Sequence, residues 1–209
     1  YAASPSGDVR AVAIDKGKLY FLFGKEYKYA DIEGWSDFGG SKEKNETKFE
    51  TAVREGYEET NGFFGSKYNL QKNIEKFLLL EVKSKTYSCF VYKIKYDTNL
   101  IKYYNRNYKF IQKHNDKFVK DHNGYYEKSS IKWFTIEDIC ENRHLFRKWY
   151  NKTIISKIIK LHDKILKKIN TICTSLVFIY YLEIFSLVYQ KIINTPKTSW
   201  KLLKSIACL

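Results

Sequence analysis

The twenty residues GSKEKNETKFETAVREGYEE, from Gly40 to Glu59, carry the most specific pattern in this chain. On a helix, Glu55, Glu58 and Glu59 are spaced i, i+3 and i+4, so their carboxylates share one face. Small and apolar residues fall on a different face, which is the natural core face; they are Phe49, Ala52, Val53 and Gly56. We therefore predict an amphipathic helix over residues 47–60, stopped by the Asn-Gly pair at 61–62.

Three carboxylates this close repel one another, and a divalent cation such as Mg²⁺ relieves the repulsion because it prefers oxygen ligands. Arg54 lies four residues after Glu50 and four before Glu58, which is the spacing of helical ion pairs. An acidic, solvent-facing helix stripe would need no metal. The glycines ahead of the helix, Gly39 and Gly40, favour a site, because they let the backbone approach a metal or a phosphate closely.

The same stretch resembles the Nudix box, G-x5-E-x7-R-E-U-x-E-E-x-G-U, in which U is a bulky aliphatic residue. Six positions match at the required spacing, and a random start position would match all six about once in ten million; they are Gly40, Glu46, Arg54, Glu55, Glu58 and Glu59. Two places depart from the pattern: Gly56 takes the first aliphatic position, and Asn61 precedes Gly62 where the box has glycine and an aliphatic residue. Neither change removes a carboxylate, so the resemblance implies an active enzyme.

The resemblance implies an α/β (α+β) Nudix fold, with a mixed β-sheet sandwiched between helices, over residues 1–150. A C-terminal helical extension is expected over 151–209. The implied activity is hydrolysis of a diphosphate linkage in a nucleotide-type substrate, with Mg²⁺ or Mn²⁺ as cofactor. The expected metal ligands are Gly40, through its carbonyl, and Glu55, Glu58 and Glu59. The expected catalytic residues are Glu58, Glu59, Arg54 and Glu127, and the remaining motif positions are Gly39 and Glu46.

Outside the box, two short apolar runs at 9–14 and 19–23, separated by the polar residues 15–18, predict a β-hairpin. Further strands are predicted at 76–83, 86–96 and 130–134, and Thr135 is predicted to cap a helix. Residues 97–125 are rich in asparagine, lysine and tyrosine, and we interpret them as an inserted long loop.

Basic residues alternate with aromatic ones in this stretch, a pattern suited to phosphate contacts and base stacking in single-stranded RNA. We predict substrate binding by Lys102, Arg106, Tyr108 and Lys109; a disordered lysine-rich loop is the competing interpretation. Together with a net charge of +14, the box makes the chain similar to the mRNA-decapping Nudix enzymes of large DNA viruses. A small-molecule hydrolase acting on ADP-ribose, dinucleoside polyphosphates or diphosphoinositol phosphates stays open, as does a non-catalytic module that binds RNA or a partner.

The remaining composition bears on location. Four widely spaced cysteines fit neither a zinc site nor a disulfide framework, and they indicate a reducing, cytoplasmic setting. Residues 172–189 are almost entirely apolar, with Glu183 as the main interruption, and are either a membrane anchor or a packed helix. The chain begins at Tyr1 and has no methionine, so we expect its natural N-terminus to lie upstream. The oligomeric state is left open.

Overall fold

The structure is a computed structural model that describes residues 5–121 and 123–193, with the backbone alone described for 172–179 and 191–193. Its sheet has seven strands, and β1 lies in the middle. The strands are β1 Ser6–Asp15, β2 Lys18–Glu26, β3 Trp35–Ser36, β4 Phe38–Ser41, β5 Leu78–Lys83, β6 Tyr87–Lys93 and β7 Lys128–Phe134.

Strand β1 pairs with three other strands, one along one edge and two along the other. It runs parallel to β6 along one edge. Along the other edge its first half is antiparallel to β4 and its second half is antiparallel to β2. β2 continues the sheet through β7 and β3. The sheet is therefore mixed, and the predicted fold class and the predicted β1–β2 hairpin are both confirmed.

Helix α1 (Lys48–Glu59) lies on β1 and β4, one residue inside the predicted bounds at each end. Thr47 and Glu50 form a capping box at its start, and Asn61 (φ 51°) and Gly62 (φ 70°) end it in left-handed conformations. A Cβ atom at Gly56 would lie 2.5 Å from Val9 Cγ2. Glycine at this departure from the motif thus lets α1 approach the sheet closely.

Two predictions for residues 67–125 need correction. Helix α2 (Lys67–Phe77) was not predicted, and β5 therefore starts at Leu78 rather than at 76. Residues 97–125 do not form a long loop, because most of them lie in α3 (Thr98–His114) and α4 (Asp116–Lys120). Tyr104 and Tyr108 are buried one turn apart on the inner face of α3. Because most other residues of this stretch are polar, the helical spacing of the two tyrosines was not recognised in the sequence.

The opposite face of the sheet is covered by the segment after β7. Thr135 caps α5 (Ile136–Glu141) as predicted, and a 3₁₀ turn at Arg143–Leu145, α6 (Lys148–Tyr150) and a π-helical turn at Asn151–Ile155 follow. Phe23 of β2 meets Phe146 and Tyr150 edge to face, at centroid distances of 5.0 and 6.3 Å. The sheet is therefore sandwiched between helical layers.

The chain divides into two compact units, Tyr1–Leu166 and Lys167–Leu209. The domain boundary expected at residue 150 stays a prediction. Helix α7 spans Ser156–Ile193. Over residues 180–189 most of its large apolar side chains are exposed. The side chains of 172–179, which belong to the predicted apolar segment, lie outside the described residues. Among the described residues, no helix is both long and apolar enough to cross a membrane.

Candidate active site

Arg54 lies at the centre of the charged face of α1 and donates hydrogen bonds to several carboxylates. Its Nε donates to Glu46 Oε1 at 2.8 Å. Its Nη1 donates to Glu55 Oε1 at 2.9 Å and to Glu58 Oε2 at 3.2 Å. Its side chain is 13% exposed, so these bonds are only partly screened by water. The hydrogen bond from Arg54 lowers the pKa of Glu46 to about 2. Arg54 thus binds three motif carboxylates at once.

Glu55 lies against the glycine loop. A Cβ atom at Gly40 would lie 2.4 Å from Glu55 Oε1, so only glycine permits this approach of backbone and carboxylate. Burial raises the pKa of Glu55; the ion pair with Arg54 opposes that rise, and the neighbouring charges of Glu58 and Glu127 add to it. Glu55 is thus a carboxylate crowded by other carboxylates, and a further cation would stabilise it.

Glu59 points in a different direction, into a buried cluster around Lys128. The Lys128 ammonium lies 2.6 Å from Glu26 Oε1 and 3.1 Å from Glu59 Oε1, and it donates to Ser36 Oγ at 3.0 Å. Burial disfavours the charged lysine, but the two carboxylates outweigh it and raise the pKa of Lys128. The other Glu59 oxygen accepts from the Gly39 amide at 2.7 Å. Glu59 therefore ties α1 to β4 and β7.

The segment before β7 lies across the C-terminal part of the acidic face. Gly124 (φ 84°) approaches Glu58 so closely that a Cβ atom there would lie 2.9 Å from Glu58 Oε2. Tyr126 adopts a left-handed φ of 60°, and its amide donates to Asn61 Oδ1 at 2.8 Å. Asn61, a departure from the motif, thus fixes the segment that presents Glu127 to Glu55.

The arrangement fits a divalent cation in part. The Gly40 backbone, Glu55 and Glu58 are oxygen donors on one side of α1, with Glu127 adding to the negative charge there. Among the described residues, however, no group of three or more histidine, cysteine or acidic side chains is gathered closely enough to hold a metal ion. Arg54 instead donates to Glu55 and Glu58, and Lys128 is paired with Glu59.

The predicted substrate-binding residues lie on α3 and not on α1. Lys102, Arg106 and Lys109 are exposed on α3 at i, i+4 and i+7, and so form one stripe. Tyr108 does not belong to it, because only 3% of its surface is exposed and it packs with Tyr27 and Val119. Its prediction as a stacking residue is corrected by that burial. Tyr103 and Phe110, which are 57% and 60% exposed, flank the stripe instead.

Lys128 is the residue of this charged network that the sequence did not reveal. It is one of 37 lysines and arginines, and no spacing or neighbour sets it apart from the others. Only the pairing of β7 with β2, which brings it opposite Glu26, places it beneath the acidic face.

No family model matches this chain, and no curated protein matches it. Solved structures resemble it at low identity. A C. elegans Ap4A hydrolase in a binary complex is 15% identical, with 83% of this chain and 99% of that chain covered, at a TM-score of 0.42. A Nudix hydrolase from M. smegmatis, RenU, is 9% identical, with 78% and 88% covered, at 0.45. The NUDIX domain of Shewanella oneidensis NrtR, crystallised with ADP ribose, is 11% identical, with 77% and 89% covered, at 0.42. Likenesses this weak assign neither an activity nor a substrate to this chain.

Proposed function

We propose that this chain is a Nudix-type hydrolase that uses Mg²⁺ or Mn²⁺ to cleave a diphosphate linkage in a nucleotide-type substrate. The observation that carries the proposal is the position of Glu55, between Gly40 on one side and the charges of Glu58 and Glu127 on the other. Six motif positions at the correct spacing support it from the sequence. In this proposal the Gly40 carbonyl, Glu55 and Glu58 hold the metal, and Glu59 joins them only by releasing Lys128.

The residues of the chain have distinct tasks in this proposal. Arg54 neutralises Glu55 and Glu58 before the metal binds, and its hydrogen bonds to them loosen when the metal takes its place between the carboxylates. Lys128 keeps Glu59 and the Gly39 amide together, which holds the glycine loop against α1. Glu127 would accept a proton from an attacking water. A bound Mg²⁺ or Mn²⁺ would supply charge neutralisation of the diphosphate and a lowered pKa for a bound water.

We propose capped RNA as the substrate, with the RNA body lying along α3. The exposed stripe of Lys102, Arg106 and Lys109 offers cations at the spacing of one helix face, and Tyr103 and Phe110 beside it offer surfaces for base stacking. The chain's net charge of +14 would attract a polyanion more strongly than a small dinucleotide.

The test is hydrolysis of cap-labelled RNA and, in parallel, of ADP-ribose, each with and without Mg²⁺. Glu58→Gln removes the charge of an expected ligand and is expected to lower the rate about 100-fold or more. Glu50→Gln is the matched control on the same helix, because glutamine preserves the capping box. Its rate is expected to stay within about twofold of the unchanged chain.

Each outcome decides between the alternatives. Product from RNA alone supports decapping, and product from ADP-ribose alone assigns a small-molecule hydrolase. If neither substrate is cleaved, the pairing of the carboxylates with Arg54 and Lys128 marks a non-catalytic module. Full activity of the Glu58→Gln chain would remove Glu58 from the ligand set.

A further inference from the structure

The C-terminal part of α7 carries a dense group of exposed apolar side chains. We call residues 180–189 the apolar segment. Eight of its ten side chains are large, apolar and between 38% and 74% exposed: Tyr180, Tyr181, Leu182, Ile184, Phe185, Leu187, Val188 and Tyr189. Single exposed apolar residues are common on protein surfaces, but a contiguous group of them marks a site that contacts another molecule or a membrane.

The apolar side chains cover most of the circumference of this part of the helix. Its polar residues Glu183, Ser186 and Gln190 are exposed at i, i+3 and i+7, and therefore form one stripe roughly 60° wide. The apolar residues occupy the rest. A contact with one partner helix buries a single apolar stripe, so a second copy of this chain would leave many of these side chains in water. A lipid layer surrounds an inserted helix on several sides and can cover them together.

Lysines flank the apolar run in the sequence. Lys164, Lys167 and Lys168 precede it, and Lys191 follows it. The first three are exposed, and Asp163 is the only acidic residue from 156 to 182. Anionic lipid headgroups attract lysines that lie next to an inserted segment. Lysines at both ends suit a helix that lies along a membrane surface, because both of its ends then meet headgroups.

The length of the apolar segment and the position of its tyrosines also fit a membrane surface. Ten helical residues extend over about 15 Å, which is half the thickness of the hydrocarbon core of a bilayer. Tyr180 and Tyr181 lie at one end of the segment and Tyr189 at the other, and all three are more than half exposed. Tyrosine prefers the headgroup level, where its ring contacts acyl chains and its hydroxyl stays in water. These features favour a helix inserted from one side of the bilayer.

We propose that the apolar segment inserts into one leaflet of a membrane that contains anionic lipid. In this arrangement the stripe of Glu183, Ser186 and Gln190 faces water, and the flanking lysines lie on the lipid headgroups. The proposal concerns the place where the protein acts. It goes beyond the proposed function, which depends on α1 and the glycine loop, and either can fail without the other.

The test is flotation of the full chain with phosphatidylcholine vesicles that either contain or lack phosphatidylserine. The chain is expected to bind the vesicles with phosphatidylserine about tenfold or more tightly than those without it. Phe185→Ser removes the most exposed apolar side chain of the segment and is expected to weaken binding to both kinds of vesicle about 10- to 100-fold. Tyr68→Ser is the matched control, because Tyr68 is an aromatic residue of α2 with a similar exposure of 67%. It is expected to leave vesicle binding unchanged.

The contribution of the flanking lysines is tested separately. Alanine at Lys164, Lys167 and Lys168 together is expected to weaken binding to the phosphatidylserine vesicles about 100-fold. Binding to vesicles of phosphatidylcholine alone should change little, since those vesicles carry no net charge. The control for overall charge is alanine at three exposed lysines of α2, which is expected to change binding less than about threefold; they are Lys67, Lys72 and Lys76.

Circular dichroism of each variant checks that its helix content is unchanged. The proposal is overturned if the unchanged chain does not float with the phosphatidylserine vesicles, or if folded Phe185→Ser floats equally well. Sedimentation velocity tests the alternative occupant, a second copy of this chain. Self-association that Phe185→Ser abolishes, in a chain that binds no vesicles, would assign the apolar segment to an interface between copies and overturn the proposal.

Discussion

Helices α1 and α3 are both amphipathic and both rich in charge, but they use their charges differently. On α1 the acids are paired within the fold: Arg54 binds Glu55 and Glu58, and Lys128 binds Glu59. On α3 the basic residues Lys102, Arg106 and Lys109 are exposed. A face whose charges are fixed by partners is suited to chemistry, which needs exact positions. A stripe of exposed cations is suited to attracting a polyanion, which needs charge more than geometry.

The largest effect is expected at the buried end of the α1 network. Lys128→Met removes the ammonium group and leaves Glu26 and Glu59 buried, with side-chain exposures of 7% and 4%. Loss of one partner from a buried ion pair costs about 3–5 kcal/mol of unfolding free energy. We expect the lower end of that range, because Arg147 remains 3.1 Å from Glu26. Urea denaturation followed by circular dichroism measures the change.

Lys132→Met is the control for this variant, since Lys132 lies on the same strand but is exposed. It is expected to change the unfolding free energy by less than about 0.5 kcal/mol. Adding Glu59→Gln to Lys128→Met should restore more than about 1 kcal/mol, because it removes the buried charge that Lys128→Met leaves without a cation. An equal loss in Lys132→Met, or no recovery in the double variant, would contradict the assignment of Lys128.

The two helices also differ in how far the sequence predicted them. The position and stop of α1 followed from residues within the helix and next to it, because helix periodicity and a left-handed stop are local properties. The direction of Glu59 did not follow, because it depends on Lys128, which lies 69 positions later and reaches α1 only through the pairing of β7 with β2. Helix α3 was mistaken for a loop because Tyr104 and Tyr108 are its only fully buried residues, too few to outweigh a polar composition.

A smaller effect on stability is expected at the exposed end of the α1 network. Arg54→Ala removes the donor shared by Glu46, Glu55 and Glu58, and should lower the unfolding free energy by about 1–3 kcal/mol, since Arg54 is partly accessible to water. The freed carboxylates repel one another, so Mg²⁺ should raise the melting temperature of this variant more than that of the unchanged chain. Thermal melts with and without Mg²⁺ provide the measurement.

Lys72→Ala is the matched control for Arg54→Ala, because it breaks an exposed ion pair with Glu75 on α2. It is expected to cost less than about 0.5 kcal/mol and to show no added response to Mg²⁺. If Mg²⁺ shifts the melting of Arg54→Ala no more than that of Lys72→Ala, the acidic face does not gather a metal ion.

The smallest effect on stability is expected on α3, where substitutions should instead weaken RNA binding. Combined replacement of Lys102, Arg106 and Lys109 by alanine should change the unfolding free energy by less than about 0.5 kcal/mol, since these side chains are exposed and alanine favours helix. Binding of fluorescein-labelled single-stranded RNA should weaken, and the slope of log affinity against log salt should fall by about 2, since each phosphate contact contributes about 0.7. Alanine at Lys67, Lys72 and Lys76, which are exposed on α2, changes the net charge by the same amount. If that control lowers the salt slope equally, RNA responds to the overall charge of the chain and α3 is not its binding surface.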